Sequence, residues 1–288
     1  SLCLEPCALR LIFKTKKFIN FKKVFEEENI MPLNIIVCIK SVVTSAPGGR
    51  VIRTADNCIL NPFDRPAIEM ALKLREANGG SVTAITMGPE TGSIALYEAL
   101  AMGVDKAVLV TDRAFAGSDT LATSKALAAA IEKLDPFDLV IFGARSSDSD
   151  TGQVGPQTAV HLNLPVITGV KSIECNKNSV RVDRVIDEFK EEYEMAFPGA
   201  VAIDPKAVDV RDTVLSMVEK AFNKEAIDRL TLSDLELSTE GLGEKGSPTK
   251  LVSMSKVKKK HKCEFIEGSP EEQADELVKR IKAGGYIG

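Results

Sequence analysis

Residues 138–156 read Asp-Leu-Val-Ile-Phe-Gly-Ala-Arg-Ser-Ser-Asp-Ser-Asp-Thr-Gly-Gln-Val-Gly-Pro, and the rest of the chain is organised around them. The apolar run at 139–142 has the length and composition of a buried parallel strand. A polar loop follows, and residues 153–161 are typical of a helix. Open α/β sheets bind nucleotides at such junctions, because the loop offers backbone N–H groups and the helix N-terminus favours phosphate. Many such junctions bind nothing, so this stretch alone leaves a plain connector and a nucleotide site equally open.

The same alternation of strand and helix recurs along the chain. Apolar runs at 34–39, 82–86 and 106–110 predict three more buried strands. Helices are expected from Asn61-Pro62, with Asn61 as N-cap, after Gly88-Pro89, and from about 119 to 134. This spacing favours right-handed βαβ units. The sequence therefore predicts an α/β fold with a mostly parallel sheet and helices on both faces.

After residue 165 the pattern changes. Short, partly alternating runs at 166–170, 180–185, 193–197 and 200–203 predict antiparallel strands at one edge of the sheet. A helix is expected from about 208 to 228. Loop-like sequence follows, and then a C-terminal helical arm with one apolar stripe at 270–283. Such an arm either folds back on its own domain or docks on a partner.

Composition excludes several classes of protein. A net charge of −4 argues against a nucleic-acid binder, which needs a basic face. No apolar run approaches the roughly 20 residues that cross a membrane, so membrane insertion is not expected. The six cysteines form no Cys-x-x-Cys pair, and the chain has only two histidines. These counts favour a reducing, cytoplasmic protein without a metal site.

Residues 1–30 differ from the rest of the chain, because they are basic and poor in acidic residues. We expect them to be an extension that is not tied to the fold. If they are instead an organellar transit peptide, the location is the mitochondrial matrix. The expected organisation is an extension at 1–30, a nucleotide-binding α/β domain at 31–230 and a C-terminal arm at 231–288.

Three loops at the carboxyl ends of strands point to one crevice. They are the helix start at 61–64, the loop at 115–124 and the loop at 143–154. In the last of these, Arg145 can neutralise phosphate, and Asp148 or Asp150 can hold ribose or adenine groups. Ser118, Asp119 and Thr120 suit phosphate, although plain helix capping is the more common role of such residues when they are taken in isolation. Together the three loops favour a shared nucleotide site.

The sequence shows no catalytic pair of nucleophile and base. His161 lies within a predicted helix and is interpreted as a packing residue, and Cys38 lies within a strand and is interpreted as a core residue. A nucleotide site without catalytic side chains indicates that a cofactor carries the chemistry.

Several stretches resemble one family. These are Val-Cys-Ile-Lys at 37–40, Asn-Pro-Phe-Asp at 61–64, and the segments 99–107, 143–156 and 182–202. Together they resemble the β subunit of electron-transfer flavoprotein. The resemblance implies an adenine-nucleotide-hydrolase-like, Rossmann-like domain in a heterodimer with an α subunit, and an FAD that the two subunits share. It further implies that the arm docks on the α subunit, and that electrons pass between a dehydrogenase or NADH and an acceptor.

By position, the resemblance assigns the nucleotide site to Cys38, Asn61, Pro62, Phe63, Asp64, Met87, Gly143, Ala144, Arg145, Ser146, Ser147, Asp148, Ser149, Asp150, Thr151, Gly152, Gln153 and Val154. Respiratory members hold AMP there, and electron-bifurcating members hold a second FAD. The bifurcating members show a Phe-x-Gly-x-Asp-Thr-x-Ala-Thr-Ser loop, which residues 115–124 match. This match favours FAD over AMP and adds Ser118, Asp119, Thr120 and Thr123 to the site. A non-redox, AMP-binding structural subunit and a stand-alone nucleotide-binding module are the alternatives.

Two segments depart from the family pattern. Arg-Ser-Ser-Asp-Ser-Asp stands at 145–150, where the family usually reads Gln-Ala-Ile-Asp-Gly-Asp. Residues 204–215 lack the family's usual partner-recognition sequence. Leu215 still offers an apolar anchor for a flavin dehydrogenase partner, such as one of the acyl-CoA dehydrogenase type.

Overall fold

A computed structural model describes residues 31–44, 53–134, 136–213, 215–222, 226–253 and 264–287. The chain divides into two compact units, of which the first ends at Val252 and the second begins at Ser253. The expected extension at 1–30 lies outside the described residues. Within the described residues, no helix is long and apolar enough to cross a membrane.

The first unit is built on a nine-stranded sheet in the order β11-β5-β4-β1-β6-β10-β7-β8-β9. Its strands are β1 (Leu33–Cys38), β4 (Gly80–Met87), β5 (Lys106–Val110), β6 (Leu139–Gly143), β7 (Val166–Cys175), β8 (Ser179–Ile186), β9 (Phe189–Ala196), β10 (Gly199–Ile203) and β11 (Ile227–Leu230). A separate antiparallel hairpin joins β2 (Ser41–Val43) to β3 (Cys58–Leu60).

Helices cover the sheet. They are α1 (Arg65–Asn78), α2 (Ser93–Met102), α3 (Thr120–Glu132), α4 (Val154–His161), α5 (Leu215–Ala221) and the short α6 (Gly243–Gly246). The core has two layers. Ile35 and Val37 of β1 pack in one layer with residues of α1 and α2, and Ile36 and Cys38 pack in the other with residues of α3 and α4. Because the strands are buried on both faces, the predicted parallel sheet with helices on both faces is confirmed.

The strand order places a crevice beside β1. β1 pairs in parallel with β4 on one side and with β6 on the other. Along the chain, β4 and β5 are therefore added on one side of β1, and β6 is then added on the other side of β1. Loops at the carboxyl ends diverge at such a reversal, and open α/β sheets bind ligands there. The loops after β1, β4, β5 and β6 all lie at this edge.

Two predicted segments are corrected by the sheet. Residues 200–203 were expected at an antiparallel edge, but β10 lies in the interior and pairs in parallel with β6 and β7. All five β10 residues are buried, which explains the unbroken apolar run. The antiparallel edge is formed by β7, β8 and β9.

The helix expected at 208–228 is also wrong. Among the described residues of this stretch only 215–221 is helical, and 227–230 forms β11, which pairs with β5. The pairing of β11 with β5 is a tertiary interaction, and local sequence does not reveal it.

A predicted helix start shifts as well, because α1 has Asp64 rather than Asn61 at its N-cap and carries proline in its first turn.

Residues 231–252 belong to the first compact unit. Leu235 and Leu242 are buried against the α3 side of the core. The second unit contains α7 (Pro270–Ala283), which begins at a capping box formed by Ser269 and Glu272. Leu277 and Val278 of α7 are exposed, and docking of this helix on a partner stays a prediction.

Candidate functional site

A cavity of about 910 Å³ lies at the carboxyl ends of β1, β4, β5 and β6. Most residues that the sequence nominated line it, from all three predicted loops: Cys38, Asn61, Asp64, Met87, Ser118, Asp119, Thr120, Thr123, Gly143, Ala144, Arg145, Ser146, Ser149, Thr151, Gly152, Gln153 and Val154. The nominated residues that do not line it are Pro62, Phe63, Ser147, Asp148 and Asp150. The structure thus brings the three loops together around one space.

The turn between β3 and α1 ties two of these loops together. Asn61 is buried, and its amide nitrogen donates to the carbonyl oxygen of Arg145 at 2.8 Å. Its amide oxygen accepts from the backbone N–H of Ser147 at 3.1 Å. Asp64 accepts from the backbone N–H of Lys40 through Oδ2 at 2.7 Å. Asn61 therefore holds the loop after β6, and Asp64 holds the chain where it leaves β1.

Asp64 is an ionisable group in the wall of the cavity and is only 5% exposed. Burial raises the pKa of its carboxyl from 3.8 to about 7. The hydrogen bonds from Lys40 N–H and from Asn61 act in the opposite direction and do not cancel the effect of burial. The carboxyl of Asp64 therefore changes charge near neutral pH.

Gly143, the last residue of β6, allows this arrangement. A Cβ at this position would overlap Oδ1 of Asp64 and would lie 2.6 Å from the carbonyl oxygen of Phe63. Real Cβ atoms do not approach backbone so closely. Glycine is therefore required where β6 passes the turn at 61–64.

Replacing Gly143 with alanine is expected to displace Asp64 and to lower the free energy of unfolding by about 1–3 kcal/mol, as overpacked sites do. Chemical denaturation of the variant measures this loss. The matched control is Gly88→Ala after β4, where a Cβ meets nothing within 4 Å. Equal stability of the two variants would contradict the close approach.

The loop after β6 orients one cation toward the cavity. The guanidinium of Arg145 lies over the ring of Phe63, at 4.7 Å from its centroid, and its Nε is 3.1 Å from Oδ1 of Asp150. Asp150 has a φ of 55° and Gly152 a φ of 62°, so the loop turns twice through the left-handed region. Phe63 and Asp150 lie outside the lining and position Arg145 within it.

The loop after β5 is held by its own hydrogen bonds and by bonds to the segment at 243–249. Oδ1 of Asp119 caps α3 by accepting from the backbone N–H groups of Leu121 and Ala122. Its Oδ2 accepts from the N–H of Thr249 at 2.9 Å. The hydroxyl of Ser118 donates to a carbonyl oxygen within the loop and accepts from the N–H of Gly243. Hydrogen bonds within the protein therefore engage both side chains, and Ser118 and Asp119 both border the cavity.

Thr120 links the two helix-opening loops, because its Oγ1 donates to Oε1 of Gln153 at 3.2 Å. Thr123, one turn further into α3, lines the cavity beside it. The N-termini of α3 and α4 thus lie at the same wall. Both bring the positive ends of helix dipoles to it.

Sequence reasoning missed part of the lining. Lys40, Ser41, Arg53, Arg113 and Thr249 also border the cavity. A signal was available for Lys40 and Arg113, because each follows closely after a predicted strand. No signal marked Thr249, which comes from a segment that was expected to be a loop-like arm.

The burial of Cys38 and the exposure of His161 decide how these two residues are interpreted. Cys38 is buried in the core and also borders the cavity, and burial raises the pKa of its thiol well above the ordinary range. His161 ends α4 and is exposed, so its interpretation as a packing residue is wrong. Within the described ranges no group of His, Cys, Asp and Glu side chains could hold a metal ion.

Comparison with known proteins adds to this geometry. The model of the electron transfer flavoprotein domain matches residues 49–235, more than half of the chain. The electron transfer flavoprotein subunit beta of Thermoanaerobacterium thermosaccharolyticum is 40% identical over 261 residues, which are 88% of this chain and 100% of that protein. The chain belongs to the electron transfer flavoprotein β-subunit family.

Relatives in this family include subunits of larger reductase systems. The acryloyl-CoA reductase electron transfer subunit gamma of Anaerotignum propionicum is 36% identical, over 86% of this chain and 98% of that protein. The caffeyl-CoA reductase-Etf complex subunit CarD of Acetobacterium woodii is 36% identical, over 87% and 98%. Membership of the electron transfer flavoprotein family supports flavin or nucleotide binding.

Proposed function

We propose that this chain is the β subunit of a heterodimeric electron carrier and that its cavity binds FAD. The size of the cavity carries the proposal. About 910 Å³ lies near the upper end of the roughly 300–1,000 Å³ that small-molecule sites span. An AMP molecule fills much less of such a space than FAD, which adds a ribityl chain and a three-ring isoalloxazine to the same adenylate.

The charges of the lining suit an anionic dinucleotide. Lys40, Arg53, Arg113 and Arg145 all border the cavity. The carboxylates among the lining residues are engaged locally. Those of Asp64, Asp112 and Asp119 each accept hydrogen bonds from backbone N–H groups, and that of Glu90 pairs with Arg229. Because these carboxylates are engaged while two helix N-termini face the same wall, a pyrophosphate meets net attraction.

The protein groups bind and orient, and they exchange no protons with a substrate. FAD when bound supplies the electron-accepting and electron-donating chemistry. Arg145, held between the Phe63 ring and Asp150, is placed to pair with a phosphate. The turn at 61–64 keeps the loops after β1 and β6 at a fixed separation, which sets the width of the site.

The proposed partners are an α subunit and a flavin-dependent redox enzyme. The relatives named for acryloyl-CoA and caffeyl-CoA reductases support a CoA-ester-processing partner. Leu215 is 86% exposed at the start of α5 and is the proposed anchor for a dehydrogenase of the acyl-CoA type. The exposed apolar residues of α7 are proposed to dock on the α subunit.

One FAD in this cavity and a second shared with the α subunit supply the two flavins that we propose for bifurcation. The free cysteines at 38, 58 and 175 suit a cytoplasmic location.

Counting the nucleotides of the purified complex tests the proposal. The full-length chain is co-expressed with its α subunit, the complex is denatured, and the released nucleotides are separated and quantified. Two FAD per heterodimer is the expected result. One FAD with one AMP would favour the non-redox structural subunit instead. A stable monomer that never pairs with an α subunit would favour a stand-alone nucleotide-binding module.

A further inference from the structure

A group of charged and hydroxyl side chains lies together in one part of the cavity wall. The ammonium of Lys40 is 2.7 Å from Oδ1 of Asp148 and 3.4 Å from the hydroxyls of both Ser146 and Ser149. Arg53 approaches the other oxygen of the same carboxylate, with Nη2 at 3.7 Å from Oδ2. One carboxylate therefore holds two cations of the cavity wall.

Asp148 reaches these cations from outside the cavity. Lys40 and Arg53 border the cavity, whereas Asp148 does not. The side chain of Asp148 is only 23% exposed. Although its partial burial acts to raise the pKa, the hydrogen bond from Lys40 and the charges of Lys40 and Arg53 hold the pKa of its carboxyl below the usual range. Asp148 is therefore ionised at neutral pH.

A second, independent feature marks the same end of the cavity. Ser41 borders the cavity and is 6% exposed, and its hydroxyl has no hydrogen-bond partner within the described part of the chain. Its carbonyl oxygen accepts from Nη1 of Arg53 at 2.8 Å, so Arg53 lies directly beside it. A buried hydroxyl without a partner costs free energy, which a ligand can recover by bonding to it.

We infer that Lys40, Ser41 and Arg53 form a phosphate subsite, and that Asp148 competes with the ligand for the two cations. This inference rests on the proposed nucleotide function and adds a regulator of affinity to it. A nucleotide phosphate in the cavity accepts from Lys40 and Arg53 and from the Ser41 hydroxyl, and it draws the two cations away from Asp148. Asp148 is thus a competitor for the subsite, in contrast to the ribose- or adenine-binding role that the sequence suggested for it.

The competition predicts an unusual gain of affinity in a variant. Asp148→Asn removes the competing charge and keeps an oxygen that can accept from Lys40. We expect its Kd for AMP and FAD to fall about five- to tenfold, the scale of one partly buried charge pair. Adenosine, which lacks phosphate, should bind both proteins equally. Ser41→Ala should weaken the binding of AMP and FAD severalfold and leave adenosine unchanged.

Equilibrium titration of the full-length heterodimer, after its nucleotide has been removed, measures these constants. Asp183→Asn is the matched control, because Asp183 forms a similar ion pair with Lys190 at 3.1 Å in the β8–β9 hairpin. Thermal unfolding of each variant confirms that it is folded.

Several outcomes overturn the inference while leaving the proposed function intact. If wild type binds FAD and Asp148→Asn binds it no more tightly, Asp148 only holds the loop after β6 in place and does not compete with the ligand. If adenosine gains as much affinity as AMP, the loop has loosened and charge is not the cause. If Asp148→Asn weakens adenosine and AMP alike, the carboxylate holds the nucleoside directly. If the wild-type complex binds neither AMP nor FAD, the proposed function and the inference both fail.

Discussion

Replacing Arg211 with alanine is expected to lower the free energy of unfolding by about 3–5 kcal/mol, because it strands a buried charge. Its partner Glu69 lies in α1 and is only 2% exposed. Nε of Arg211 is 2.7 Å from Oε2 of Glu69, and Nη2 is 3.1 Å from Oε1, so the pair is bidentate. The backbone N–H of Arg211 also donates to Oε2 at 3.2 Å. Removing the guanidinium leaves Glu69 with that backbone donor and with Lys73, whose Nζ is a longer 3.9 Å from Oε1.

Denaturant unfolding of three variants tests this expectation. Arg211 also pairs with the exposed Glu76, and Glu76→Gln should cost less than about 1 kcal/mol, as surface pairs do. The double variant Glu69→Leu, Arg211→Met removes both charges and should recover much of the loss. If Arg211→Ala costs no more than Glu76→Gln, the buried pair does not anchor the segment at 208–213.

The Arg211 pair also shows where sequence reasoning reached its limit. The apolar pattern at 208–228 suggested a helix, yet residues 208–213 follow an irregular course and are held by an ion pair between Arg211 and a residue 142 positions earlier. A contact of that separation leaves no local signature. β11 was missed for the same reason, since its assignment depends on pairing with β5.

The parts of the fold that could be predicted are the buried strands, from their apolar runs, and the position of the loops that follow them. The buried runs at 34–39, 82–86, 106–110 and 139–142 became β1, β4, β5 and β6, because strands covered on both faces are continuously apolar. Once those strands are parallel, their following loops share one edge. The joint lining of one cavity by the loops at 61–64, 115–124 and 143–154 follows from that geometry.

The roles of individual side chains in the site could not be read in the same way. Asp119 and Asp148 both looked like ligands, because a carboxylate in a loop does not reveal its partners. In the structure Asp119 caps α3 and holds Thr249, and Asp148 pairs with Lys40. Thr249 lies 130 positions from Asp119, and Lys40 lies 108 positions from Asp148, so only the folded chain identifies these two partners.

Replacing Asp64 with asparagine is expected to stabilise the protein at pH 8 by about 4 kcal/mol. Burial raises the pKa of Asp64 from 3.8 to about 7 in the folded chain. The unfolded chain therefore releases the proton more readily. The contribution of Asp64 to stability is then greatest below pH 4, declines as pH rises from about 4 to 7, and is constant above that range. Asparagine has the same shape, can still accept from the N–H of Lys40, and lacks this decline.

Unfolding free energies of wild type and Asp64→Asn, measured between pH 4.5 and 8.5, test both the sign and the size of the effect of Asp64 on stability. The difference between the two proteins should be small at pH 4.5, grow up to about pH 7 and then level off. Asp183→Asn provides the opposite case, because the hydrogen bond from Lys190 lowers the pKa of Asp183. That variant should lose stability relative to wild type, and the loss should stay nearly constant from pH 8.5 to 4.5, because a lowered pKa changes stability only below about pH 4. A difference between wild type and Asp64→Asn that stays constant across the whole range would show that Asp64 has an ordinary pKa, and that its hydrogen bond to Lys40 compensates for its burial.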